Sequence, residues 1–238
     1  MTGDGEGDGD GGSDASMMMV IASREKMAEA ARASYDMMLY KMLRTVPQSQ
    51  RLQLVCSKGQ YGETVLLDAA GSDNPKSIQS IFSLLPESEH LQAMNMVDDH
   101  GRNALHYAST SKRVDSLKAI LNILPESQHL YFVGMKDHSG YNALHYALFS
   151  GHSEPIKLIL SLYPESQRLQ VICMKSVMGY TALHCVAGSR NSEAIKVVLD
   201  SIPQSQRLQV LSMQDQHGNT ALHHAASSRD FRSEERRV

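Results

Sequence analysis

The sequence predicts an all-α repeat solenoid, built from helix–turn–helix units that each carry an extra short third helix. Three observations carry that prediction. Gly62, Gly101, Gly140, Gly179 and Gly218 fall at a constant interval of 39 residues, and each opens a copy of one phrase. The clear copies are Gly101-Arg-Asn-Ala-Leu-His-Tyr-Ala108, Gly140-Tyr-Asn-Ala-Leu-His-Tyr-Ala147, Gly179-Tyr-Thr-Ala-Leu-His184 and Gly218-Asn-Thr-Ala-Leu-His-His-Ala225; Gly62-Glu-Thr-Val-Leu-Leu-Asp-Ala69 is a worn one. Pro47, Pro86, Pro125, Pro164 and Pro203 keep the same interval, each opening a Pro-Glu/Gln-Ser-Gln/Glu-Arg/His-Leu phrase. Between the two markers, apolar residues recur at i, i+3, i+4 and i+7, the spacing of one helical stripe. Markers locked to one period over most of the chain define a repeat array.

Taken in order, residues 1–16 are rich in Gly and Asp and hold nothing that could be buried, so they read as a disordered acidic tail. Residues 17–46 are good helix formers without Pro or Gly. Counting back one period puts Met27 and Ala30 at the Leu and Ala positions of the phrase, so 17–61 reads as a degenerate N-terminal cap. End repeats need such a polar outer face. Full units follow at 62–100, 101–139, 140–178 and 179–217, with a partial one at 218–226 and a charged tail at 227–238.

The second helix of each unit has the cleanest pattern. Ile78, Ile81, Phe82 and Leu85 return as Leu117, Ile120, Leu121 and Leu124, as Ile156, Ile159, Leu160 and Tyr163, and as Ile195, Val198, Leu199 and Ile202. Lys118, Lys157 and Lys196 fall off that stripe and should be solvated. Proline then ends the helix, because the residue before Pro is pushed out of the α region. A third helix is expected after it, roughly Ser166 to Ile172 in the best copy, with its leucine (Leu91, Leu130, Leu169 or Leu208) packed under the stripe.

The phrase resembles the signature of the ankyrin-repeat family, in which Gly-x-Thr-Pro-Leu-His-x-Ala opens the first of two antiparallel helices. Thr181-Ala-Leu-His184 and Thr220-Ala-Leu-His223 match it with Ala for Pro, and two copies have Asn for Thr. Asp98, Asp137 and Asp215 stand three residues before their glycines, as the family's hairpin aspartate does, and Ser150-Gly151-His152 is similar to its turn between helices. Ankyrin repeats run ~33 residues, so each unit here carries about six more, and they coincide with the proline phrase. Arrays of this long-period style resemble ankyrin-repeat effector proteins of intracellular bacteria.

Composition narrows the function. A formal charge of −3 with no basic run argues against nucleic-acid binding. No run approaches the ~20 apolar residues of a membrane span. Cys56, Cys173 and Cys185 show no ligand spacing and read as free thiols of a reducing compartment. His106, His145, His184 and His223 are register-equivalent and so lie about one repeat, ~10 Å, apart, too far to share a zinc ion at ~2.1 Å. The resemblance gives them instead a hydrogen-bonding role between neighbouring turns. Glu87, Glu126 and Glu165 are equally too widely spaced for a catalytic pair and read as helix-start acids. No catalytic residue, metal or cofactor is expected.

What remains is a surface. The family implies partner binding along the concave side, by hairpin tips and exposed first-helix residues. Carried over by position, Tyr141, Phe149, Val177, Met178 and Tyr180 gather centrally, with Arg102 and His138 toward one end. Central aromatics with a polar rim describe a hot spot. The sequence therefore predicts a non-catalytic protein-binding scaffold or adaptor: a cytoplasmic monomer with a protein partner and no nucleic acid or membrane, working in host cytosol if a secreted effector. The alternatives are a module of a larger protein whose catalytic domain is absent, and a purely structural spacer.

Overall fold

The computed structural model describes residues 11–33, 35–189 and 191–234, with side chains from 22 to 227. Among them the chain is helical, and its β-structure is one isolated bridge between Gln214 and Thr220. The cap holds α1 (Gly11–Arg32), α2 (Asp36–Thr45) and α3 (Gln48–Cys56). The next three units repeat the triplet: α4 (Val65–Gly71), α5 (Pro75–Ser83), α6 (Glu87–Met94); α7 (Ala104–Ser109), α8 (Asp115–Ile123), α9 (Glu126–Gly134); α10 (Ala143–Ser150), α11 (Ser153–Leu162), α12 (Glu165–Ile172). Then come α13 (Ala182–Ser189), α14 (Ser192–Asp200), a 3-10 turn at Gln204–Gln206 with α15 (Arg207–Leu211), and α16 (Ala221–Glu234).

The first helices pack in line, α1 on α4, α4 on α7, α7 on α10, α10 on α13 and α13 on α16. Behind them α2 packs on α5, α5 on α8, and α11 on α14. The stripe residues of α5, α8 and α11 are buried, while Ile195 and Leu199 of α14 are only half-buried because the row of second helices ends there. Lys118, Lys157 and Lys196 are exposed. The helix α1 begins at Gly11, inside the stretch expected to be disordered; residues 1–10 lie outside the described residues. Extending a helix already nucleated by packed residues such as Met27 and Ala31 costs little.

The third helix is present as expected, but its buried side is not. Leu91 and Leu208 are exposed, and Leu130 and Leu169 are only half-buried. The core instead receives the residues two and three positions on: Ala93 and Met94, Phe132 and Val133, Val171 and Ile172, and Val210. Two or three steps turn a helix by 200–300°, so the leucine sits on a different face. Proline stands at the N-cap of this helix, with ψ near 140°, as at Pro125 (φ −56, ψ 141). The basic residue of the proline phrase turns back to cap the preceding helix. His129 Nε2 donates to the Leu121 and Leu124 carbonyls at 2.9 and 3.2 Å, and Arg168 Nε reaches Leu160 and Tyr163 at 3.2 and 3.3 Å. His90, Arg51 and Arg207 do the same in their units. The extra residues thus satisfy carbonyls that a helix end leaves unpaired.

Hairpin tips join successive units. The N–H groups of Asp99, His138, Val177 and Gln216 donate to the carbonyls of Tyr61, His100, Ser139 and Met178 at 2.9–3.2 Å. Gly140 shows why the marker is glycine: its φ is +80°, and a Cβ there would stand 2.9 Å from the Val177 N. Gly140→Ala should lose about 1–2 kcal/mol from the left-handed backbone alone. Urea denaturation checks this; a loss below about 0.5 kcal/mol would show that the tip yields freely.

Candidate functional site

The face made by hairpin tips and first helices is built on one recurring polar cluster. Asp98 Oδ1 accepts from the N–H groups of His100 and Arg102 at 2.9 and 2.8 Å, closing the tip. Asp137 and Asp215 hold theirs alike. The other oxygen takes a donor from the first helix, nine residues on: Tyr107 Oη at 2.9 Å, Tyr146 Oη at 2.7 Å, and His224 Nε2 at 2.8 Å. Burial alone would raise the Asp98 and Asp215 carboxyls, but their donors outweigh it and hold both below the usual carboxylate range. Burial and the facing carboxylate push the Tyr107 and Tyr146 hydroxyls up.

Sequence reasoning found the aspartates but missed their partners. The signal was present in the repeat columns. Where the aspartate is lost, the donor nine residues on is lost too: Ser176 pairs in register with Cys185, and Gly59 with Asp68.

Two rungs of the histidine ladder, His106 and His184, have the inter-unit role the resemblance implied, whereas His145 Nε2 finds no partner among the described residues. His106 Nδ1 accepts the Asn103 N–H at 3.0 Å while Nε2 donates to the Tyr141 carbonyl of the next unit at 3.1 Å. His184 repeats this with Thr181 and Asn219, and His145 Nδ1 accepts from Asn142. Burial lowers the pKa of all three imidazoles, that of His145 to about 4.

Above this frame stand the residues singled out from the sequence. Tyr141 and Phe149 meet edge to face at 5.0 Å between ring centres. Phe149, Tyr180, His184, Ser189 and His224 line a hollow of about 250 Å³, in which Tyr180 meets the His224 ring at 5.2 Å. No third-helix residue lines it, and Phe149 stays 44% exposed. Val177 and Met178 project from the tip beside them, 69% and 38% exposed. Of the other two, His138 is exposed on the tip that also carries Tyr141, beside Gly101 of the preceding unit. Arg102 belongs to a second, larger cleft, where its guanidinium is held by Asp98 at 2.6 Å and by Tyr107 Oη at 3.0 Å.

That cleft, of about 820 Å³, opens between α1 and the first two tips. Its floor is an ion-pair network that the sequence did not announce. Arg24, only 6% exposed, donates to the Glu63 carbonyl at 2.7 Å and to Glu63 Oε1 at 3.1 Å, and stands 3.8 Å from Asp68. Arg32 Nη1 donates to Asp68 Oδ1 at 3.0 Å. Burial raises the Asp68 carboxyl, although both guanidiniums oppose it. Among the described residues no cluster of His, Cys, Asp and Glu suits a metal ion, and no helix is long and apolar enough to cross a membrane. Cys56, Cys173 and Cys185 are free, and burial pushes the Cys56 thiol to about 11.

Tips bonded in series over paired antiparallel helices, with His106 and His184 each bonding to the next unit, define a solenoid repeat protein with an open lateral face. The family model of ankyrin repeats, in three copies, matches residues 68–169, from α4 to α12. No curated protein matches this chain.

Proposed function

We propose that the chain is a non-catalytic adaptor that holds a partner protein against its tip-and-first-helix face. Ankyrin repeats are in general protein-interaction modules. One observation carries the site: Phe149, Val177 and Met178 remain exposed beside Tyr141 and Tyr180, at the middle of a face whose flanks are polar. Exposed rings grouped at a centre are what a partner's side chains desolvate. The free thiols fit work in a reducing cytosol, and the likeness to delivered bacterial proteins extends that to the cytosol of a host cell. The array acts as a monomer, with the partner supplying the second surface.

Changing Tyr141, Phe149 and Tyr180 together to Ala tests this. Affinity for a partner identified by affinity capture and mass spectrometry should fall at least ~100-fold, about 2.7 kcal/mol, while circular dichroism keeps its helical signal and melting stays cooperative. Undiminished binding by the folded triple variant would remove the site.

A further inference from the structure

The larger cleft between α1 and the first two tips offers a different chemistry from the aromatic centre. Three of its guanidiniums are already committed, Arg24 to Glu63, Arg32 to Asp68 and Arg102 to Asp98. Asp68 is not fully used. Its residue is 8% exposed and it lines the cleft, yet Oδ2 has no hydrogen-bond partner among the described residues, the Arg24 guanidinium standing 3.8 Å from it. At the rim Glu25 and Glu29 stand one turn apart on α1, both exposed and in no ion pair among the described residues, against Lys26, the one uncommitted Lys or Arg among the described residues of the lining. The ring of Tyr61 forms a further wall and is 66% exposed. Such a ring receives a cation within ~6 Å of its centre, and the neighbouring Arg102 already sits 4.9 Å over Tyr107 in that manner.

We infer that this cleft takes a basic side chain, a guanidinium or ammonium, of the bound protein, set between Tyr61, Glu25 and Glu29 and reaching Asp68 Oδ2. Arg32 is half exposed and can turn outward to admit it. In the repeat register Asp68 stands where later units carry Tyr107, Tyr146, Cys185 and His224, and Glu29 holds the same position one period earlier, so the two units that frame the cleft each offer a carboxylate there. The aromatic centre lies two to three units further along, about 20–30 Å at ~10 Å per unit. An extended segment at ~3.3 Å per residue spans that in about six to nine residues. The inference rests on the proposed face only for which molecule carries the basic group.

The test therefore uses a small probe and no partner. N-acetyl-arginine methylamide is titrated into the full chain and followed by two-dimensional NMR. Shifts should concentrate at Tyr61, Asp68 and the α1 rim, saturating with a Kd on the order of 1–10 mM. The neutral citrulline analogue should bind at least ~10-fold more weakly, and Asp68→Asn should remove the effect. Because Asp68→Asn can perturb folding, the exposed pair Glu25→Gln/Glu29→Gln serves as the second variant and should weaken binding several-fold. No shift at saturating probe, equal binding of citrulline, full binding by the double variant, or tighter binding of N-acetyl-glutamate methylamide would each overturn the inference. None of these outcomes touches the Tyr141–Phe149–Tyr180 reading, which stands or falls by partner capture.

Discussion

Arg24→Met should destabilise the chain by about 3–5 kcal/mol, although the residue lies in the degenerate cap and far from the central core. Met keeps most of the side-chain volume, so the loss reports charge rather than packing. Arg24 does for the first unit what the hairpin aspartate does elsewhere, with the sign reversed. Position 59 is glycine, and any side chain there would collide with the Arg24 guanidinium. The carboxylate comes instead from Glu63, whose Oε2 accepts the Tyr61 N–H at 2.9 Å while Oε1 accepts from Arg24. Without Arg24, Glu63 loses a charged partner and Asp68 keeps only Arg32 across a buried carboxylate. Removing one member of a buried pair costs more than never having had the pair. For the same reason Arg24→Met/Asp68→Leu should recover a substantial part of the loss. The deficit should also narrow as the pH falls. Burial would raise Glu63, but its hydrogen bonds and Arg24 hold it low, so that stabilisation is present above the ordinary carboxylate pKa and fades below it. Asp68, already raised by burial, is relieved as it takes up its proton. Urea titrations of both variants at neutral pH and near pH 4.5 decide it. A single-variant loss below about 1 kcal/mol would mean that the network behaves as a solvated surface pair.

How far the structure could be read from the sequence follows the range of each interaction. The units and the second-helix stripe were legible because Gly140 and its equivalents need a left-handed backbone, and because Leu117, Ile120, Leu121 and Leu124 recur at helical spacing. Both are local constraints. The third helix was legible as an element, since Pro125 and Glu126 mark its start, but the burial of Phe132 and Val133 rather than Leu130 was not. On so short a helix the buried side is set by where the neighbouring units sit. The Asp98–Tyr107 and Asp215–His224 pairs could have been found, since both partners vary together from unit to unit. Arg24 could not. Its role depends on Gly59, Glu63 and Asp68 departing from the pattern together, and the cap has no second copy to compare. In the candidate site, position by position transfer placed Tyr141, Phe149, Val177, Met178 and Tyr180 on one exposed face. It gave Arg102 the same role, whereas Asp98 and Tyr107 hold that guanidinium in the other cleft.

The pH dependence of stability should show the histidine ladder directly. His106, His145 and His184 each use Nδ1 to accept a backbone N–H at the start of a first helix. An imidazolium has no lone pair for that bond, and burial already disfavours the charge. Their pKa values are therefore lower in the folded chain than in the unfolded one: about 4 against 6.5 for His145, and shifted the same way for the other two. Above the unfolded value both states are neutral and nothing is lost. Between the two values the unfolded chain binds protons that the folded chain refuses, so stability falls as the pH falls. For His145 alone the loss by pH 4 is about 3 kcal/mol, and the other two add to it. Asp98 and Asp215, whose folded pKa values are depressed, start to lose their contribution only at and below the ordinary carboxylate value of 3.8. The window from about 6.5 down to 4.5 thus leaves Asp98 and Asp215 out, and comparison with a histidine variant cancels what Glu63 and Asp68 contribute there. Denaturant titrations across it should show a steady fall. His145→Gln, less stable than the parent at pH 7, should show a visibly shallower slope. An unchanged slope in that variant would mean that His145 is protonated as easily in the fold as outside it, and that a neutral imidazole is not what holds the start of α10.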